Sequence, residues 1–264
     1  MNGATTGRIE IDEVSICFGD FVALEGATLT IEPGEFVCLL GPSGCGKTTL
    51  LNAIAGFVPI DGGTVRVDGL GVSGPHVTRG VVFQSAEALF PWLRAVDNVS
   101  FGSRLHGMPR SERRTVALEY LRLVGLGDAT RKYPNELSGG MRQRLQIARV
   151  LANEPRIVLM DEPFGALDAQ TREVMQVELD RIWRETGCTI VFVTHDLDEA
   201  LLLADRVVTM TAAPNARIKN IHAVDLAHPR DIDDARLRAL HQRLRADIAE
   251  EVAATVRREG VTVE

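Results

Sequence analysis

The chain has 264 residues, 45% of them hydrophobic and 25% charged, an ordinary composition for a globular protein of one large or two small domains. Its formal net charge of −7 argues against a general electrostatic grip on nucleic acid or anionic lipid. No apolar run approaches the roughly 20 residues of a membrane-spanning helix, and residues 1–7 do not look like a secretory signal. The four cysteines (Cys17, Cys38, Cys45, Cys188) show neither C-x-x-C spacing nor a nearby histidine partner. Thiols in a reducing compartment, rather than zinc or disulfides, are the expectation. A cytosolic protein is expected, with any membrane contact local and made through a protein partner.

Residues 8–33 alternate as strands do, with Ile9, Ile11 and Val14, then Ala27, Leu29 and Ile31, closed by the turn Glu32-Pro33-Gly34-Glu35. Phe18-Gly19 breaks the first run, and an aromatic there can stack on an adenine face or be core. The apolar run Phe36-Val37-Cys38-Leu39-Leu40 predicts a buried parallel strand. It feeds Gly41-Pro42-Ser43-Gly44-Cys45-Gly46-Lys47-Thr48-Thr49, which fits G-x-x-x-x-G-K-T, and Thr48–Ala55 reads as a helix stopped by Gly56. Strand, glycine-rich turn and helix turn this pattern into a mechanism. The backbone N–H groups wrap an anion at a helix N-terminus, Lys47 reaches the β- and γ-phosphates, and the Thr48 hydroxyl ligates Mg²⁺. A nucleoside triphosphate is the expected ligand.

After a turn and short strand at 61–69, Gly80–Gln84 reads as a buried strand ending in an amide on the side where parallel sheets place ligands. From there Gln84 could reach Mg²⁺ or the attacking water, or be an ordinary loop glutamine. Helical character follows over about 85–150, including an aromatic turn Phe90-Pro91-Trp92, a helix start at Val96-Asp97-Asn98-Val99, and a helix over 111–123 with Ala117, Leu118 and Leu121 on one face. At its end Ser138, Gly139 and Gly140 open a helix with Leu145, Ala148 and Leu151 on one face. This is a second anion site or simply a capped helix N-terminus. The stretch 156–163 reads as an apolar strand ending in two carboxylates, Asp161 and Glu162. If the strand alternation continues, the acids point apart: Asp161 suits Mg²⁺ and Glu162 suits polarising a water. Ala166-Leu167-Asp168 leads into a helix that stops at Gly187, and His195 lies just past the buried strand 189–194, on the same ligand-facing edge as Gln84 and Glu162. Residues 207–210 read as a last core strand. The tail from about 212 is less sheet-like and holds an amphipathic helix with Leu237, Leu240, Leu244, Ile248 and Val252, expected to pack on its own domain.

Taken in order, these motifs make the chain resemble the ATP-binding subunit of an ABC transporter over residues 8–250. Gly41–Thr48 matches the Walker A loop, Gln84 the Q-loop, Leu137–Met141 the signature, Ile157–Glu162 the Walker B strand, Ala166–Asp168 the D-loop and His195 the switch histidine. Met141 departs from the usual Gln. The resemblance implies an α/β P-loop NTPase fold with a parallel-sheet core, an N-terminal antiparallel β-subdomain and a helical subdomain inserted at about 85–150. One domain would span 8–250, with a short tail over 251–264. It also implies that ATP and Mg²⁺ bind, with Phe18 on the adenine, Lys47 and Thr49 on phosphates, and Thr48 and Asp161 on the metal. Gln84 would sense metal and water, Glu162 would act as base, and His195 would hold the γ-phosphate. Ser138, Gly139 and Gly140 of a second copy would close a head-to-tail dimer, with the D-loop Asp168 at the nucleotide. A separate permease and, indirectly, a substrate-binding protein would be partners at the inner face of the membrane. Phe90-Pro91-Trp92, Asp97-Asn98-Val99, residues 161–168 and Thr211-Ala212-Ala213-Pro214 are similar to the nitrate/sulfonate/taurine importer branch. The alternative is a soluble ATPase of the same kind, uncoupled from transport; a non-catalytic nucleotide sensor fits poorly with Lys47, Asp161, Glu162 and His195 in place.

Overall fold

Strand alternation in the first thirty residues produces an antiparallel hairpin. β1 (Ile9–Phe18) pairs with β2 (Phe21–Ile31) in a register running from Ile9 opposite Ile31 to Phe18 opposite Phe21. β4 (Gly62–Val67) adds to the far side of β1 and β5 (Leu70–Gly71) adds to β4, so the sheet order is β2-β1-β4-β5. Ile9, Ile11, Val14 and Ile16 bury their side chains with Ala27, Leu29 and Ile31 on one face.

The apolar runs without alternation behave differently. All five residues of β3 (Phe36–Leu40) are buried. β3 lies between β8 (Thr189–Thr194) and β9 (Arg206–Met210), parallel to both, as expected for strands covered on both faces. β10 (Ile218–Ala223) pairs antiparallel with β9, so the tail from about 212, which reads as less sheet-like, adds a further strand to the sheet. Its residues are exposed or half-buried throughout, so no apolar pattern marks it. α1 (Lys47–Ala55) follows β3 and ends at the Gly56 cap, α7 (Leu197–Leu203) follows β8, and α8 (Ala235–Glu259) is the amphipathic helix of the tail. Leu237 and Leu244 of α8 are fully buried while Val252 is 44% exposed. Asp247 on α8 accepts from His222 Nε2 at 2.8 Å and Asn220 at 3.0 Å, both on β10.

The computed structural model describes residues 6–84 and 88–259. The elements above belong to one compact unit, Met1–His76 with Thr186–Glu264. The second unit, Val77–Glu185, is inserted between those two stretches. It pairs β6 (Arg79–Val82) in parallel with the fully buried β7 (Ile157–Asp161) and carries α2 (Ala95–Val99), α3 (Phe101–Leu105), α4 (Arg110–Leu123), α5 (Gly139–Leu151) and α6 (Ala169–Thr186). The stretch 80–84 reads as a buried strand, but β6 stops at Val82, its only fully buried residue, and Phe83 is 36% exposed.

Candidate functional site

In the first unit, register places two sequence motifs side by side. Leu40, the last residue of β3, pairs with Thr194, the last of β8. The chain after each is therefore Gly41, opening the glycine loop, and His195, exposed at the carboxyl edge of the sheet. The loop is curled around its own lysine. Lys47 is 6% exposed and its ammonium donates to the carbonyls of Gly41 and Pro42, each at 2.8 Å. Cys45 Sγ lies 3.6 Å from the same nitrogen. Burial raises the Cys45 thiol above its ordinary value and the lysine charge opposes this. Gly46 caps α1 with φ 87°, and a Cβ there would meet Ala23 O at 3.2 Å, so only glycine fits both the conformation and the space. Thr48 is exposed and Thr49 half-exposed in the first turn of α1. Phe18 stands 53% exposed at the hairpin tip, which removes the reading that it is core.

The second unit uses the same device. Val82 at the end of β6 pairs with Met160 near the end of β7, so Gln84 and the Asp161-Glu162 pair leave the same sheet edge. Gln84 Nε2 donates to Glu162 Oε2 at 3.1 Å. Asp161 is 7% exposed. Strand alternation does not govern Glu162: β7 ends at Asp161 and Glu162 sits at φ 44°, a left-handed conformation that non-glycine residues rarely adopt. The turn, not the pleat, aims the second carboxylate. Strain of this kind collects at working sites.

Ser138 caps α5 with its hydroxyl accepting from Met141 N–H at 3.3 Å. A Cβ on Gly140 would lie 3.1 Å from Leu167 Cδ2, so the start of α5 packs closely against the Ala166–Asp168 turn. Asp168 accepts from the Thr171 N–H at 3.0 Å and from its hydroxyl at 2.7 Å, contacts that hold its carboxyl below the usual range. The second unit thus brings Gln84 to Glu162, and Gly140 to the stretch before Asp168.

The aromatic turn is also a built object. Asn98 is fully buried; its Oδ1 accepts from Phe90 N–H at 2.9 Å, and its Nδ2 donates to Phe90 O at 3.1 Å and Leu93 O at 2.9 Å. Those bonds fix the loop from which Trp92 projects, 70% exposed, its ring 5.7 Å from that of Phe90. Phe90 lines a groove of about 340 Å³ together with Val77, Phe101, Leu105 and Arg149. Val77 and Leu105 are each 71% exposed, large apolar side chains left at a rim. The sequence signals Trp92 but not this groove, because its lining comes from four separated stretches; a buried Asn in an apolar helix start was the available cue.

A family profile described as ABC transporter matches residues 24–165, more than half of the chain. This chain belongs to the ABC transporter family. It is an ATP-binding, ATP-hydrolysing cassette of that family, in the branch the sequence motifs suggest. The cassette is 49% identical over 233 residues to the taurine import ATP-binding protein TauB of Chromobacterium violaceum, covering 86% of this chain and 89% of that protein. It is 46% identical over 235 residues to the bicarbonate transport ATP-binding protein CmpD of Synechocystis, covering 87% and 83%. An uncharacterized ABC transporter ATP-binding protein of Methanocaldococcus jannaschii is 52% identical over 209 residues, 79% of this chain and 78% of that one. Among solved structures, a dimeric ATP-binding cassette in a post-hydrolysis state bound to ADP and Pi superposes with a TM-score of 0.74 at 33% identity, covering 83% of this chain and all of that one. The cassette fold, with its antiparallel N-terminal sheet and parallel core, is the one expected from the motifs.

Proposed function

We propose that this cassette drives uptake of a small anion, of the taurine, sulfonate, nitrate or bicarbonate kind, through a separate membrane permease. The observation that carries the transport reading is the Asn98-braced Trp92 turn beside an apolar groove, an exposed surface that ATP hydrolysis itself does not use. No helix among the described residues is long and apolar enough to cross a membrane, so the motion must be handed to another chain. The cassette would then sit peripherally on the inner membrane face, with a substrate-binding protein delivering cargo to the permease.

The residues fit ATP and Mg²⁺. The glycine loop already surrounds an ammonium at a helix N-terminus, Thr48 is exposed in the first turn of α1, and Asp161 presents a nearly buried carboxylate at a strand end. Lys47 and Thr49 hold the phosphates, and Phe18 stacks on adenine. Thr48, Asp161 and Gln84 would hold Mg²⁺, which would supply neutralisation of phosphate charge. Glu162 takes the proton of the water that attacks the γ-phosphorus as the bond to the bridging oxygen breaks, releasing ADP and phosphate. Its bond to Gln84 supports that aim. His195, beside the glycine loop, contacts the γ-phosphate. Ser138, Gly139 and Gly140 of a second copy cover that phosphate head to tail, with Asp168 next to them, and loss of the anion releases them.

Glu162→Gln tests the reading. The variant should bind ATP with turnover reduced about 100-fold or more and be trapped as a dimer. Pulled from native membranes with ATP and read by mass spectrometry, it should bring a multi-span permease and a substrate-binding protein. Near-normal turnover would remove Glu162 as the base, and recovery of only soluble partners or nucleic acid would make the protein an ATPase uncoupled from transport.

A further inference from the structure

His195 is exposed, on a junction of one residue between β8 and the cap of α7. Both flanking residues, however, are tied to a single buried hydroxyl. Thr194, 2% exposed, donates its Oγ1 proton to Glu199 Oε2 at 2.6 Å, and the same oxygen accepts the Asp196 N–H at 3.0 Å. Asp196 in turn accepts from the N–H groups of Asp198 at 2.8 Å and Glu199 at 3.1 Å, closing a ring of bonds around the histidine's backbone. Glu199 is 5% exposed on the face of α7 that also buries Ala200, Leu201 and Leu203. A leucine would fill that place without desolvating a carboxylate. What the acid supplies is the bond to Thr194.

We propose that Glu199 and Thr194 are positioning residues for His195, holding the β8–α7 junction so that the imidazole stands beside the glycine loop. The proposal rests on the reading of His195 as the γ-phosphate contact. Charge supports the arrangement: burial pushes the Cys38 thiol on β3 well up, the Glu199 carboxylate adds to that and the Lys47 ammonium opposes it. Glu199 and Lys47 therefore act on one buried point behind the strand ends.

The test uses steady-state ATPase of the purified full chain carrying Thr194→Val, Thr194→Ser, Glu199→Leu and His195→Ala, alone and combined. Thr194→Val and Glu199→Leu should each lower kcat about tenfold with KM for ATP little changed, and Thr194→Ser, which keeps the hydroxyl, should retain it. Added to His195→Ala, neither should lower kcat further. In histidine-labelled protein, the His195 ring resonance should move in Thr194→Val and Glu199→Leu while the melting temperature stays within a few degrees. Losses that multiply with His195→Ala, or an unmoved resonance, overturn the proposal. His195→Ala at wild-type turnover overturns instead the γ-phosphate reading on which it stands.

Discussion

At the scale of single residues, two backbone positions carry consequences that can be measured. Gly46 combines φ 87° with Ala23 O 3.2 Å from any added Cβ. Gly46→Ala should destabilise the chain by about 1–2 kcal/mol from the left-handed conformation alone and weaken ATP binding, read by thermal melting with and without nucleotide. An unchanged melt would mean that the loop tolerates another path. Asp234 precedes α8, accepts from Arg236 N–H at 2.8 Å, and is held down to about 2 from the usual 3.8, first by the Arg236 side chain and then by that N–H. A depressed folded value means the carboxylate's support of α8 is fully present above pH 3.8 and is lost as pH falls through about 2. NMR titration of the Arg236 amide should show a midpoint near 2 in the folded chain; a midpoint near 3.8 would mean the contact is not formed in solution.

At the scale of elements, the Trp92 turn and its Asn98 brace can be separated. Trp92→Ala removes only an exposed side chain, so isolated-chain ATPase should persist while binding to permease-containing membranes falls. Loss of soluble ATPase instead would make Trp92 structural. Asn98→Ala strips the loop of its side-chain bonds to Phe90, Leu93 and Arg94 and should cost about 1–3 kcal/mol of stability, with membrane binding lost as in Trp92→Ala. Much of this architecture was legible: β3, β7 and β8 are unbroken apolar runs, and the glycine loop has a spacing that chemistry dictates. β10 was not, because its six residues bury no face and its place is set by backbone pairing to β9 and by polar ties to α8. Glu162 was singled out on strand alternation, which does not hold there: the residue sits at φ 44°, which no periodicity announces. Thr194 and Glu199 stand five residues apart on different elements, with no spacing that signals a pair, and only three-dimensional contact couples them.

For the whole molecule, the proposed head-to-tail dimer makes a prediction that no single chain can satisfy. Lys47→Ala damages the glycine loop and Gly140→Asp the start of α5; each alone should be nearly inactive. Mixed in equal amounts, heterodimers contain one undamaged pairing of loop and signature helix, so turnover should reappear. Failure to recover would sink the head-to-tail arrangement. The same chain order has a consequence for how the protein comes into being. β3 is wholly buried against β8 and β9, yet the entire second unit, Val77–Glu185, lies between them in the sequence. During synthesis the strand that launches the phosphate loop emerges long before its parallel neighbours exist. At about 5–20 residues per second that delay is on the order of 10–30 s, an interval in which five consecutive apolar residues have no native sheet partner. The late-made half of the first unit therefore completes the phosphate-binding sheet, and this wait is the cassette's period of greatest exposure to aggregation and to chaperones.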